Sequence, residues 1–135
     1  MKLNPDCVRD ILFYLEEHLS ISEDLEIEEI DIYELKRQLK YPIQELVNTI
    51  LVLGEAEFIE IVADSSNDCI SSLDIYRITY SGYQFIESIR PESVWKKVKS
   101  INGNIGSFSI NTITQIATGV ITAMITNQLS GVTNL

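Results

Sequence analysis

The stretch YRITYSGYQFI (residues 76–86) decides how this chain is read. Its first half alternates side to side with the period of a strand, and its second half places Gly82, Phe85 and Ile86 at helical spacing. A strand therefore runs into a helix with almost no loop between them. Gly82 falls in the first turn after Thr79, where a missing side chain lets that turn press against a neighbouring element.

Upstream, FIEIVA (residues 58–63) and LDIYRITY (residues 73–80) both alternate, and the cluster DSSND (residues 64–68) between them reads as a turn, which makes a β-hairpin. Before the hairpin, Pro42 opens a helix whose apolar positions Ile43, Leu46, Val47, Ile50, Leu51 and Leu53 recur at the 3.6-residue period. A shorter helix over residues 31–39 ends before KYP, so two helices meet at a tight turn, as in a helix-turn-helix. Leu25, Ile27, Ile30 and Ile32 supply a short strand leading into that shorter helix. The chain begins with Asn4 and Pro5, a cap followed by proline at the first helical position, and Val8, Ile11, Leu12 and Leu15 carry the helix to His18.

Downstream, Ser81 is placed to cap a fourth helix through Ile89, and Pro91 opens a fifth with Val94, Trp95, Val98 and Ile101 on one face. NGNIG (residues 102–106) reads as a break. What remains is SFSINTITQIATGVITAMITNQL, residues 107–129, in a region without a charged side chain from Ser100 onward.

Helix, short strand, helix, helix and hairpin is the element order of the winged helix-turn-helix superfamily. The resemblance is concentrated in LVLGEAEFIE (residues 51–60), similar to the end of a recognition helix entering the wing, and in YRITYSGYQFI, similar to the wing's return strand. More narrowly, MKLNPDCVRDILFYLEEH, YRITYSGYQFIESIR and VWKKVKSINGNIGSFSI together resemble an uncharacterised family of short proteins found in bacteria and their prophages. That resemblance implies a phage or mobile-element setting and brings no catalytic residues. The expected fold class is mainly α with a small β-hairpin (α+β): a winged-helix-like domain over residues 1–101 and an uncharged C-terminal helix over residues 107–129.

Ten basic against twenty acidic residues leave a net charge of −10 and a pI near 4.4. Such a field repels nucleic acid and anionic membranes and favours a basic protein partner. The acids concentrate between Glu16 and Glu34, which hold nine of them and no lysine or arginine. Glu23, Asp24, Glu26, Glu28 and Glu29 form the candidate contact surface for that partner. As a DNA reader, the third helix would offer Gln44, Glu45, Asn48, Thr49, Val52 and Glu55 to the groove. Lys36, Arg37 and Lys40 would hold phosphates and Gln44 with Asn48 would read bases. Asp64 and Asp68 stand in the turn cluster where many such proteins place a base.

With Cys7, Cys69 and His18 as the whole thiol and imidazole inventory, no metal cage is expected, and Cys7 reads as a packed helix thiol with Cys69 near a turn. No nucleophile elbow, phosphate loop or calcium loop is present in the sequence, so neither a cofactor nor enzymatic activity is expected. Asp6, Arg9 and Asp10 interrupt what a secretory signal would keep apolar, and a cytoplasmic location is the expectation.

In the tail, Ile110, Ile113, Ala117, Val120 and Met124 follow a three-four spacing, and Ile116, Ile121 and Ile125 widen the stripe. Its threonine, isoleucine and valine content lowers helix propensity, and its asparagines, glutamines and threonines argue against a bilayer span. Three covers suit such a face: the chain's own body, another copy or a bilayer. Self-association through Ile113, Ile116, Ala117, Val120, Ile121, Met124 and Ile125 is the reading preferred. Lys96, Lys97 and Lys99 lie on the polar side of the fifth helix, either touching the acidic body of another copy or solubilising their own helix. The expectation is thus a non-catalytic, acidic, homo-oligomeric interaction protein. A winged-helix DNA-binding regulator and a membrane-active effector are the alternatives.

Overall fold

Asn4 caps the first helix as its side chain predicts: its Oδ1 accepts the Asp6 N–H at 3.0 Å, and α1 runs Pro5–His18. At the far end the His18 ring stacks on Tyr14 with centroids 4.0 Å apart and its Nδ1 donates to the Tyr14 carbonyl at 3.0 Å. The computed structural model describes residues 1–105 and 109–133. Within them the chain continues through β1 (Ser20–Ile21), β2 (Ile27–Glu28), β3 (Ile30–Asp31), α2 (Ile32–Gln38), α3 (Ile43–Glu55), β4 (Ile59–Ser66), β5 (Cys69–Ile78), α4 (Tyr80–Ile89), α5 (Glu92–Ile105) and α6 (Ile110–Thr133). The fold is mostly helical with small antiparallel sheets, an α+β arrangement. It divides into two compact units, Met1–Ile86 and Glu87–Leu135.

In the first unit, α1, α2 and α3 accompany a three-stranded antiparallel sheet of order β3-β5-β4. Ile11, Leu12 and Leu15 of α1, Leu35 of α2, Leu46, Ile50 and Leu53 of α3, and Leu73 and Ile75 of β5 are all buried. Each contributes about 1.5–3 kcal/mol by leaving water. Thr49, expected on the groove-facing side of α3, is buried instead, because its hydroxyl is satisfied locally by donating to the Glu45 carbonyl at 2.7 Å and lies 3.6 Å from the buried Cys7 Sγ.

Two turns differ from expectation. The strand expected near residues 25–32 is split: β1 and β2 form their own antiparallel hairpin, pairing Ser20 with Glu28 and Ile21 with Ile27, and β3 follows separately. Ser22 closes the hairpin, its N–H donating to the Glu26 carbonyl at 2.8 Å while its carbonyl accepts from Leu25 N at 2.9 Å. In the second hairpin, β4 extends to Ser66 and only Asn67 and Asp68 turn, with φ of 52° and 64°. Positive φ at both positions is the type I′ geometry that matches strand twist. Asp64 therefore lies in the strand, opposite Ser72, and not at the tip.

The C-terminus of α3 closes in a Schellman arrangement: Phe58 N donates to the Leu53 carbonyl and Glu57 N to the Gly54 carbonyl, both at 3.0 Å, with Glu57 left-handed at φ 63°. Thr79, not Ser81, caps α4, its Oγ1 accepting the Gly82 N–H at 3.1 Å.

The second unit is built on α5 and α6, which pack against one another. The helix α5 continues through Asn102 and Gly103 to Ile105, so residues 102–105 of the expected break are helical; Gly106 and residues 107–108 of the expected tail helix lie outside the described residues. Ile101, expected on the apolar face of α5, is exposed. Threonine content does not prevent α6. Ser109 Oγ accepts the Thr112 N–H at 3.0 Å at its start, and Thr114 and Thr126 donate to the carbonyls four residues back at 2.8 and 2.9 Å. Among the described residues no helix is long and apolar enough to cross a membrane.

Candidate functional site

The hairpin β1–β2 carries four of the five residues expected to meet a partner, Glu29 follows it in the link to β3, and Glu23, Asp24, Glu26, Glu28 and Glu29 are all exposed. Ser20 Oγ donates to the Glu28 carboxylate at 2.6 Å across the strands, which fixes one acid in place. Glu34, from the same acidic stretch, is withdrawn: Tyr14 donates its hydroxyl to it at 2.6 Å, and burial together with that bond pushes the phenol up to about 12.

What the sequence reading missed is the apolar half of this surface. Ile21 is 67% exposed, Leu25 83% and Ile27 43%. The spacing of Leu25 and Ile27 predicts a short strand leading into α2, and Ile21 carries no such signal. The signal lay in ISEDLEIEEI, residues 21–30, where the acids are too dense to leave any strand face free of charge. Leu25 is also left-handed, with φ of 65°. That conformation costs an ordinary residue roughly 1–2 kcal/mol, and an exposed side chain recovers none of it by packing.

The acidic field extends from the hairpin onto the sheet. Asp31 and Asp74 face one another across β3 and β5. Burial, then the charges of Asp31, Glu29 and Asp64, raise the Asp74 carboxyl above its ordinary value.

On the opposite functional expectation, Lys36, Arg37, Lys40 and Gln44 are exposed along α2 and the start of α3, while Asn48 is half-buried. Lys36 Nζ donates to the Tyr41 carbonyl at 3.2 Å, and the Tyr41 hydroxyl donates to Asp10 at 2.6 Å.

Of the residues expected to join copies, Ile113 and Ala117 are fully buried within the chain and have no surface to give a second one. Ile116, Val120 and Met124 instead line a groove of about 390 Å³ between α5 and α6, together with Ile101 and Ala123, with Lys97 contributing to its wall. Ile121 is half-buried, and Ile125 is exposed. Among the described residues no group of three or more His, Cys, Asp or Glu side chains is placed to hold a metal ion.

Comparison with curated proteins and with solved structures returns no match. Residues 2–108 match a family described as hypothetical protein (DUF2513), and the chain belongs to that family.

Proposed function

We propose that this chain is a non-catalytic interaction protein on a winged-helix-type body, which engages a basic protein partner through the β1–β2 hairpin and self-associates through its C-terminal unit. Support for the winged-helix body comes from the order α1, β3, α2, α3, β4, β5 and from the sheet order β3-β5-β4, in which β4 and β5 would be the wing. The short-protein resemblance supports a phage or mobile-element setting. The observation that carries the interaction reading is Leu25, strained and exposed between Asp24 and Glu26. A fold gains nothing from that leucine; a partner does.

The exposed Lys36, Arg37, Lys40 and Gln44 favour a second reading, a DNA-binding regulator. The acidic field and Asp68 at the turn of the second hairpin oppose it, because counterion release is the term that drives non-specific binding. One experiment separates the two. Fluorescence anisotropy of a labelled peptide alternating lysine and leucine, and of a labelled random-sequence duplex, is followed as the full-length chain is added at about 20 mM salt. Peptide binding that weakens in Leu25→Asn supports the interaction reading. Duplex binding lost in Lys36→Glu with Arg37→Glu replaces it with the DNA reading.

A further inference from the structure

Charge divides unevenly along this chain. Eighteen of the twenty acids precede Glu87, whereas Arg90, Lys96, Lys97 and Lys99 follow it alongside only Glu87 and Glu92. The unit carrying the hairpin is thus strongly negative, and the unit carrying the groove is slightly positive.

The two surfaces also match in kind. The hairpin presents Leu25 at its turn, flanked by Glu23, Asp24 and Glu26. The groove presents Ile101, Ile116, Val120 and Met124, and its one charged lining residue is Lys97. At about 390 Å³ it is at the small end of the range in which proteins bury ligands. That size suits a hairpin turn better than a whole helix. A second α6, which has no charge at all, would cover the groove and leave the Lys97 ammonium desolvated without a partner. The hairpin brings carboxylates with its leucine.

We propose that the α5–α6 groove of one copy receives the β1–β2 hairpin of a second copy, with Leu25 in the apolar part and its flanking acids against Lys97. This deepens the interaction reading of the hairpin and rests on it, with the basic partner being the chain itself. Because hairpin and groove are different surfaces, the contact is heterologous: each added copy uses one and leaves the other free, so assembly continues until a ring closes or grows as a filament.

Sedimentation of the full-length chain over a wide concentration range tests this with two variants. Leu25→Asn removes the leucine and suits the left-handed position better, and Lys97→Glu reverses the charge in the groove at an exposed position. Neither touches the core, and circular dichroism checks that both fold. The wild type is expected to assemble beyond a dimer and to dissociate as salt rises. Leu25→Asn alone should associate about tenfold or more weakly, the loss expected when one aliphatic side chain is no longer buried, and Lys97→Glu alone should also associate more weakly, because the hairpin's acids then meet a like charge. Mixed in equal amounts, the two should form a dimer and stop there, since one supplies an intact groove and the other an intact hairpin. Wild-type assembly unaffected by either variant, a mixture that stays monomeric while the wild type assembles, or a wild type that stays monomeric would each overturn the proposal. The lysine-leucine peptide separates the two failures. If it still binds in a Leu25-dependent way, the hairpin remains an interaction site and only self-docking falls; if it does not, both readings fall.

Discussion

Gly82 sits directly over the backbone of Phe58: a Cβ at position 82 would overlap the Phe58 carbonyl oxygen and come within 2.8 Å of Ile78 Cγ2. The same carbonyl accepts the Thr79 N–H at 3.0 Å, and the Phe58 ring stacks on Phe85 with centroids 4.9 Å apart. The end of α3, the start of β4 and the first turn of α4 are therefore pinned at one point. Gly82→Ala gains up to about 1 kcal/mol of helix propensity, but it must push backbone away from backbone, a strain of about 1–3 kcal/mol or more. The expected result is a net loss of stability, read as a lower urea midpoint; an unchanged or higher midpoint would mean that the two segments are not in contact.

Twenty-five residues earlier the same junction holds a residue of the opposite kind. Glu57 occupies the left-handed position of the α3 Schellman turn, which glycine fills at little cost. Glu57→Gly should raise stability by about 1 kcal/mol, relieving left-handed strain against the entropy of a freer unfolded chain. Chemical denaturation of the two proteins at equal concentration checks it.

The helices and the second hairpin were legible because their signals are local. Asn4 with Pro5 marks the start of α1, Pro42 the start of α3, and the strand-like alternation of FIEIVA and LDIYRITY marks two strands. Gly82 was legible for the same reason, as a residue type whose use is a close approach. The β1–β2 hairpin was not, because its turn relies on a leucine at positive φ, where turn chemistry predicts glycine, asparagine or aspartate. Nor could spacing show that the tail's stripe divides along its length. Ile113, Ala117 and Met124 share one three-four row, and only packing makes the first two core and the third surface.

Asp74 gives the fold a pH dependence of predictable sign. Burial and the facing Asp31 hold its proton to a higher pH than the ordinary aspartate value of 3.8, so the folded state favours the protonated group. Stability contributed by this residue is present at low pH and is lost as pH rises from 3.8 through the raised folded value, above which the penalty is complete. Asp74→Asn should therefore raise the urea midpoint at about pH 7, with an advantage that shrinks as the wild-type carboxyl becomes protonated. An advantage independent of pH would show that shape rather than charge is responsible.

The two thiols should behave differently. Cys69 is exposed beside the Asn67–Asp68 turn, while Cys7 is buried in α1 and desolvation pushes its thiol up to about 11. A disulfide reagent attacks through the thiolate, so at about pH 8 Cys69 should react at once and Cys7 only as fast as the domain opens. Stopped-flow titration should show one of the two thiols in a fast phase and the second released by denaturant. Two fast phases of equal size would contradict a closed core around α1.

Along α6 the burial gradient separates stability from association. Ile113 is fully buried, so Ile113→Ala leaves a cavity and should cost about 2–5 kcal/mol, seen as a large fall in melting temperature. Ile125 is 54% exposed, and Ile125→Ala removes a side chain that the chain itself covers only in part. Its expected cost to the fold is about 0.5 kcal/mol or less. If the exposed half of the helix serves assembly, the second substitution lowers apparent mass at high concentration while leaving the melting temperature of the dilute protein unchanged. The first lowers the melting temperature at every concentration. The reverse pattern would place the C-terminal half of α6 in the core and the N-terminal half at the surface, contrary to the burial of Ile110, Ile113 and Ala117.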